Sequence, residues 1–293
     1  MRKGSIFGPN DIPLKPEEYR LLRDLFVAKI GVHFGPEARF SLERRLRDRV
    51  LALKLSTFAE YYQYLRFHPL ALTEWEEAVE LLTTNETYFF REDYQLRSFQ
   101  EELLPMLASQ ARGRRRLSIW SAGCSTGEEA YTIAMLIHRS RHFDRSWDVR
   151  VYGSDLSKRC VATARRGVYG TASFRAMPED VKREYFTVKS DGLQVAEAIR
   201  SMCQFGQMNL LDDDKARLLG RADAIFCRNV LIYFDAQQRK RTIDIFHERL
   251  YPGGVLLLGH AESLLNVSTA FELLHLREDL VYRRPRPFAA PSE

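Results

Sequence analysis

The chain lacks what several common chemistries require. Its four cysteines, Cys124, Cys160, Cys203 and Cys227, form no CxxC pair and no Cys/His metal spacing. Free thiols in a reducing compartment are expected, with neither a disulfide framework nor a metal site. No run approaches the ~20 apolar residues of a membrane span, and the opening MRKGSIFGPNDIPLKP has no apolar core of signal-peptide length. A cytoplasmic chain with no membrane insertion is therefore expected. No Ser/His/Asp or Cys/His arrangement for nucleophilic catalysis stands out. What is present is ordinary for a soluble globular protein: 293 residues, 45% hydrophobic and 28% charged. That length accommodates one large domain and a smaller one. A net charge of +5 favours acidic partners, a property shared with nucleic-acid binders.

The most informative stretch is Ser118–Ile137, SIWSAGCSTGEEAYTIAMLI. Leu117, Ile119 and Trp120 have the apolar density of a buried parallel strand. Ala122-Gly123-Cys124-Ser125-Thr126-Gly127 is a turn of small residues that a ligand can approach closely. Glu128 and Glu129 suit the positive end of a helix dipole, and Ala130, Ile133, Ala134 and Ile137 recur at helical spacing. Strand, glycine turn and helix make a nucleotide-binding corner. A phosphate loop would carry GxGxxG or GxxxxGK[ST]; here two carboxylates follow the glycine and would repel phosphate. S-adenosylmethionine, with its sulfonium, amino group and ribose hydroxyls, fits better than NAD or ATP. The alternative is a purely structural turn with capping acids.

Residues up to about 83 read as helices: one from Pro16, then Pro36–Leu55, Thr57–Leu65 and Leu72–Leu82. The second has a basic face of Arg39, Arg44, Arg45, Arg47, Arg49 and Lys54, either solvated or a docking surface. In Thr83–Glu92, the aromatics Tyr88-Phe89-Phe90 either close onto the next domain or fill a hinge. After a helix at Gln95–Ser109, strand Leu117–Ser121 is followed by strand Val149–Ser154, ending at Asp155. This acid stands where nucleotide-binding folds hold ribose hydroxyls, or it caps the next helix. Phe186–Val188, Leu193–Ile199 and Ser201–Gln207 read as an antiparallel meander with a turn at Asp191-Gly192. It is a recognition edge or simple decoration. The sheet resumes at Ala222–Cys227 and Val255–Gly259, helix Ala236–Leu250 stops at Pro252-Gly253-Gly254, and Phe271–Leu276 with Leu280–Arg283 close a hairpin.

Several segments together resemble the CheR-type chemotaxis receptor glutamate methyltransferases. They are Asn85-Glu86-Thr87-Tyr88-Phe89-Phe90-Arg91, Trp120–Glu129, Ser154-Asp155, Asn209-Leu210, Phe226–Asp235 and Gly259-His260-Ala261-Glu262. The resemblance implies an α/β fold: a doubly wound, mostly parallel Rossmann-like S-adenosylmethionine methyltransferase sheet with a small antiparallel β insertion, preceded by a small all-α N-terminal domain. The expected division is a helical domain 1–83, a linker 84–94 covering the cofactor site, a methyltransferase domain 95–284 with its insertion at 167–208, and a disordered tail 285–293. The cofactor would be S-adenosylmethionine, leaving as S-adenosylhomocysteine.

Carried over by position, the resemblance implies cofactor contacts from Asn85, Thr87, Arg91, Glu129, Asp155, Asn209, Leu210, Arg228 and Asn229. Arg91 and Tyr233 would lie beside the transferred methyl and the substrate. The partner would be the cytoplasmic signalling domain of methyl-accepting chemoreceptors, met by a monomer through the basic helix Arg39–Lys54 and the β insertion. Charge reversal at Arg44, Arg45 and Arg49 would then raise KM for receptor alone. Family members that dock a C-terminal receptor pentapeptide have a longer, glycine-rich loop than Lys189-Ser190-Asp191-Gly192, so that tether is not expected. A nucleic-acid methyltransferase and a non-catalytic S-adenosylmethionine-sensing module are the alternatives.

Overall fold

Parallel strands buried on both faces read as continuous apolar runs, and the centre of this fold is such a strand. In the computed structural model, which describes residues 12–286, β1 (Arg116–Ala122) is buried from Leu117 onward. It pairs in parallel with β2 (Asp148–Asp155) on one side and β7 (Ala222–Cys227) on the other. The described residues separate into two units: those up to Thr84 with Tyr233–Asp235, and Asn85–Ile232 with Ala236 onward. The expected tail from 287 on and the opening stretch 1–11 lie outside the described residues. No helix among the described residues is long and apolar enough to cross a membrane.

The first unit holds α1 (Pro16–Ile30), α2 (Arg39–Ala52), α3 (Phe58–Phe67) and α4 (Ala71–Leu82). Glu18, in the first turn of α1, accepts from Lys15 N at 2.9 Å and from Ala59 N at 3.1 Å, so one carboxylate ends α1 and tethers α3. Val32 bridges to Phe234, and His33 N donates to Tyr233 O at 2.7 Å. The basic face of α2 is not simply solvated. Arg45 donates to Leu81 O and Leu82 O, carbonyls that the last turn of α4 leaves without helical partners. Arg49 grips Glu74, which is 3% exposed and also accepts from the buried Tyr61 hydroxyl at 2.7 Å. Arg47 pairs with Glu43, and Arg39 donates to Leu14 O. Only Arg44 and Lys54 of that set are exposed. Arg45 and Arg49 thus hold helices of this unit together.

The second unit begins with α5 (Asp93–Ser98), a π-helical turn Phe99–Leu103 and α6 (Leu104–Ala111), one rod where a single helix is expected. After β1 come α7 (Glu128–Ser140), β2, α8 (Lys158–Arg166), β3 (Val168–Tyr169), α9 (Glu179–Tyr185), β4 (Phe186–Lys189), β5 (Gly192–Val195), α10 (Glu197–Arg200) and β6 (Cys203–Gln207). Then follow α11 (Asp213–Leu218), β7, α12 (Ala236–Arg249), β8 (Leu250–Leu258), β9 (Glu272–His275) and β10 (Leu280–Arg283). The large sheet has seven strands in the order β6-β2-β1-β7-β8-β10-β9; only β10 runs against the others, pairing antiparallel with β8 on one side and β9 on the other. The order reverses between β1 and β7, which places a ligand crevice at the carboxyl ends of β1, β2 and β7.

A second sheet, β3-β5-β4, is antiparallel and small. The insertion is shorter than the expected 167–208. Cys203–Gln207 is not the third strand of a meander but runs parallel to β2 as the edge of the large sheet, from Val151↔Cys203 to Asp155↔Gln207. Leu193–Ile199 is likewise a strand only to Val195; Glu-Ala-Ile-Arg then winds into α10 and buries Ile199. Pro252-Gly253-Gly254 does not stand outside the sheet either: it lies within β8, where Gly253 at φ +83 accompanies a shift in the β7–β8 register. The linker aromatics pack within this unit. Phe89 is fully buried, donates its N–H to Ser173 O at 2.9 Å, and meets the rings of Tyr169, Phe174 and Phe186.

Candidate active site

The turn from β1 to α7 is built to be small and is turned toward protein acceptors. Gly123 and Gly127 have φ of +80° and +97°, and a Cβ would lie 2.4 Å from Val230 Cγ2 and 2.7 Å from Ala164 Cβ respectively. Gly123 N and Cys124 N both donate to Ser154 O, at 2.8 and 2.9 Å, and Ser125 N donates to Asp155 Oδ2 at 2.8 Å. A phosphate loop would aim such N–H groups at its ligand; here three of them are held by the end of β2.

Asp155 is 8% exposed, and its Oδ1 accepts from Ser157 N at 2.9 Å. The N-cap of α8 is Ser157, whose Oγ accepts from Cys160 N, and not Asp155. Asp155 thus holds the glycine turn and the start of α8 at once. The edge strand β6 ends alongside: Met208 N donates to Asp155 O at 2.8 Å, and Asn209 Oδ1 accepts from Leu211 N beside the buried Leu210.

On the opposite side, the two first-turn acids of α7 differ in environment. Glu128 accepts from Thr126 Oγ1 and Ser173 Oγ, and burial raises its carboxyl above the usual range. Burial also pushes Glu129 up, while Arg228 and the Ser121 hydroxyl, at 2.7 Å, favour its charged form. Arg228 is itself buried. Its Nη1 reaches Glu129 Oε2 at 3.3 Å; its Nη2 donates to Arg91 O at 2.6 Å and Glu92 Oε2 at 2.9 Å. One guanidinium therefore ties the linker to the first turn of α7.

Arg91 has a different setting. Its side chain donates to Glu86 O at 3.0 Å and lies 5.8 Å from the Tyr88 ring centre, and Tyr88 is also covered by Arg175 at 3.9 Å. Asn85 O accepts from Ser125 Oγ at 3.2 Å, which sets the start of the linker against the glycine turn, with Thr87 half-buried after it. Asn229 follows Arg228 at φ +59, and its Oδ1 is buried without a partner. Asn85, Thr87, Arg91, Glu129, Asp155, Asn209, Leu210, Arg228 and Asn229 all fall in the second unit. Tyr233 ends the short helix Leu231–Tyr233 and groups with the first.

Two further carboxylates were not among the expected site residues. Glu92 is visible only through its bond to Arg228. Glu262 accepts from the backbone of Asn229 and Val230; its one sequence signal is its place at the end of Gly259-His260-Ala261-Glu262. The donor set suits S-adenosylmethionine. Acidic groups stand at the carboxyl ends of β1 and β2 for hydroxyl and ammonium donors, the N–H groups of Gly123, Cys124 and Ser125 are already bonded to β2, and the Asn229 amide oxygen lacks a donor.

Comparison with known proteins agrees with that chemistry. The family model described as "CheR methyltransferase, SAM binding domain", SAM being S-adenosylmethionine, matches residues 85–280, and "CheR methyltransferase, all-alpha domain" matches 17–83. The chain is 35% identical over 277 residues to chemotaxis protein methyltransferase 2 of Vibrio cholerae, covering 94% of this chain and 96% of that protein. It is 34% identical over 272 residues to chemotaxis protein methyltransferase 2 of Pseudomonas aeruginosa, covering 90% and 92%. Matched in both its all-α and its S-adenosylmethionine-binding parts, the chain belongs to the CheR methyltransferase family and is an S-adenosylmethionine-dependent methyltransferase of chemotaxis.

Proposed function

We propose that this methyltransferase acts on glutamate side chains of methyl-accepting chemoreceptors, forming γ-glutamyl methyl esters. The supporting observation is the contrast between two arginines. Arg228 has its guanidinium shared among Glu92, Glu129 and a carbonyl, whereas Arg91 donates to one carbonyl and leaves charged N–H groups for a carboxylate. When bound, S-adenosylmethionine would supply a methyl on a cationic sulfur that keeps the C–S electron pair as the methyl passes to oxygen. A glutamate carboxylate, pKa about 4.3, is ionised at neutral pH and needs no general base. The protein has to align and partly dehydrate it. Arg91 orients one carboxylate oxygen through a single contact, since a tight bidentate grip would quench the nucleophile, and Tyr233 steadies the substrate. Asp155 takes the ribose hydroxyls, Glu129 faces the methionine portion, and Asn85, Thr87, Asn209, Leu210 and Asn229 line the rest.

Incubation with labelled S-adenosylmethionine and isolated receptor signalling domains tests this reading. Label released as methanol in mild base, mapping to glutamate, is the expected result. Base-stable label, or label on nucleic acid, would overturn it.

Receptor helices that carry methylation sites are acidic surfaces, and α2 with the turn that follows it offers them the exposed Arg44 and Lys54. Reversing both to Glu is expected to raise KM for receptor several-fold with Tm and S-adenosylhomocysteine affinity unchanged. Arg49→Glu should instead lower Tm, because it sets a second carboxylate against Glu74. Equal Tm losses in the two variants would remove the docking role.

A further inference from the structure

The turn that leaves β7 carries Arg228 and Asn229 and leads directly into Tyr233, yet its backbone is anchored from elsewhere. Four N–H groups converge on the Glu262 carboxylate: Gly259 N at 2.7 Å and Asn229 N at 2.8 Å on Oε2, Val230 N at 2.9 Å and Ile232 N at 3.3 Å on Oε1. An ionised carboxylate only accepts, with about four lone-pair directions, so this set saturates it. Glu262 is itself presented by a turn, its N–H donating to Gly259 O at 2.9 Å. Gly259 fits no larger residue: a Cβ would lie 2.8 Å from both Asn229 N and Glu262 Oε2.

The clamp fixes a turn conformation. Asn229 sits in the left-handed region at φ +59, which asparagine adopts more readily than other non-glycine residues. Three donors of this one turn, on either side of Val230 and including it, meet a single carboxylate. The Asn229 side chain is left with Oδ1 buried and unpartnered.

We infer that Glu262 is a positioning residue for methyl transfer, holding the Asn229–Ile232 backbone so that the Asn229 amide is presented to the cofactor. This rests on the reading of Asn229 as a cofactor contact, and not on the identity of the methyl acceptor. Glu262 never touches the reacting atoms; it acts through Asn229 and through the entry of the chain into Tyr233.

Two variants of the full chain attack the clamp from opposite sides. Glu262→Gln turns an NH2 group toward backbone donors, while Gly259→Ala keeps the carboxylate and wedges a methyl between it and Asn229 N. Each is expected to weaken S-adenosylhomocysteine binding about tenfold or more, as misplacement of a site group does. Each should also accelerate amide exchange at Asn229, Val230 and Ile232, with the amides of β1 and β2 unaffected. Glu262→Asp, with its shorter reach, should lie between wild type and Glu262→Gln. Accelerated exchange with unchanged binding in both variants would overturn the proposal, and so would losses of binding that merely follow a sheet-wide rise in exchange. Both readouts work without receptor. Failure of the glutamate assay in the wild-type chain would therefore fall on the acceptor, and these measurements would still judge Glu262.

Discussion

Arg228→Ala is expected to abolish measurable S-adenosylhomocysteine binding and to destabilise the sheet unit by about 3–5 kcal/mol, the usual cost of removing one partner from a buried ionic cluster. The side chain is 3% exposed, and its partners Glu92 and Glu129 are 17% and 14% exposed. Without the guanidinium, two carboxylates face each other across the space it filled, and Arg91 O loses a charged donor at 2.6 Å. For a chain of this size such a loss corresponds to a fall in Tm of roughly 10 °C. Arg228→Lys should recover only part of it, because an ammonium has no planar fork with which to reach Glu129 on one nitrogen and Glu92 on the other. The double variant Arg228→Met with Glu129→Gln should be more stable than Arg228→Met alone, since an unpaired buried charge is removed with its partner. Calorimetry and thermal melts of the four proteins decide it. A melt within 2 °C of wild type for Arg228→Ala would show that Arg228 does not tie the linker to α7.

Arg91→Ala is expected to lower kcat for receptor methylation about a hundredfold, the scale associated with losing alignment of a reacting group. S-adenosylhomocysteine affinity should fall less than in Arg228→Ala, because the Arg91 carbonyl that Arg228 holds is retained by alanine. Stability should hardly change either, as among the described residues the guanidinium meets Glu86 O and the face of Tyr88 and no carboxylate. Tyr233→Phe, which removes a hydroxyl and little volume, should give a smaller loss in kcat. Near-normal kcat in both variants, with cofactor binding intact, would sink the assignment of both residues to the methyl and substrate. The two arginines thus make opposite demands: one variant should unbind the cofactor, the other should bind it and fail to transfer.

Much of this was legible in the chain because it depends on local chemistry. The alternation of apolar strands with helical spacing predicts the parallel sheet, and small residues followed by two acids mark the β1–α7 turn as something other than a phosphate loop. Asp155 is recognisable from its place at the end of a strand. The edge strand was harder to read. Cys203-Gln-Phe-Gly-Gln has the same alternation as a hairpin strand, and nothing local says that its partner is β2, about fifty residues upstream, and not β5 nearby. The basic face of α2 misleads for a related reason: a row of arginines looks solvated until one sees that α4 brings Glu74 and two unpaired carbonyls against it.

The sequence by its periodicity, propensities and side-chain sizes marks the four N-terminal helices, the central strands and their helices, the glycine turn and the residue types at the ends of those strands. What only the tertiary structure decided is how the charges are divided. Arg228 and Arg91 are indistinguishable as letters, as are Glu128, Glu129 and Glu262. Folding buries Arg228 between two acids, leaves Arg91 on a carbonyl, surrounds Glu128 with hydroxyls, and closes four backbone donors on Glu262. The strength and availability of a charge depend on its desolvation and its partners, and those partners come from segments far apart in the chain.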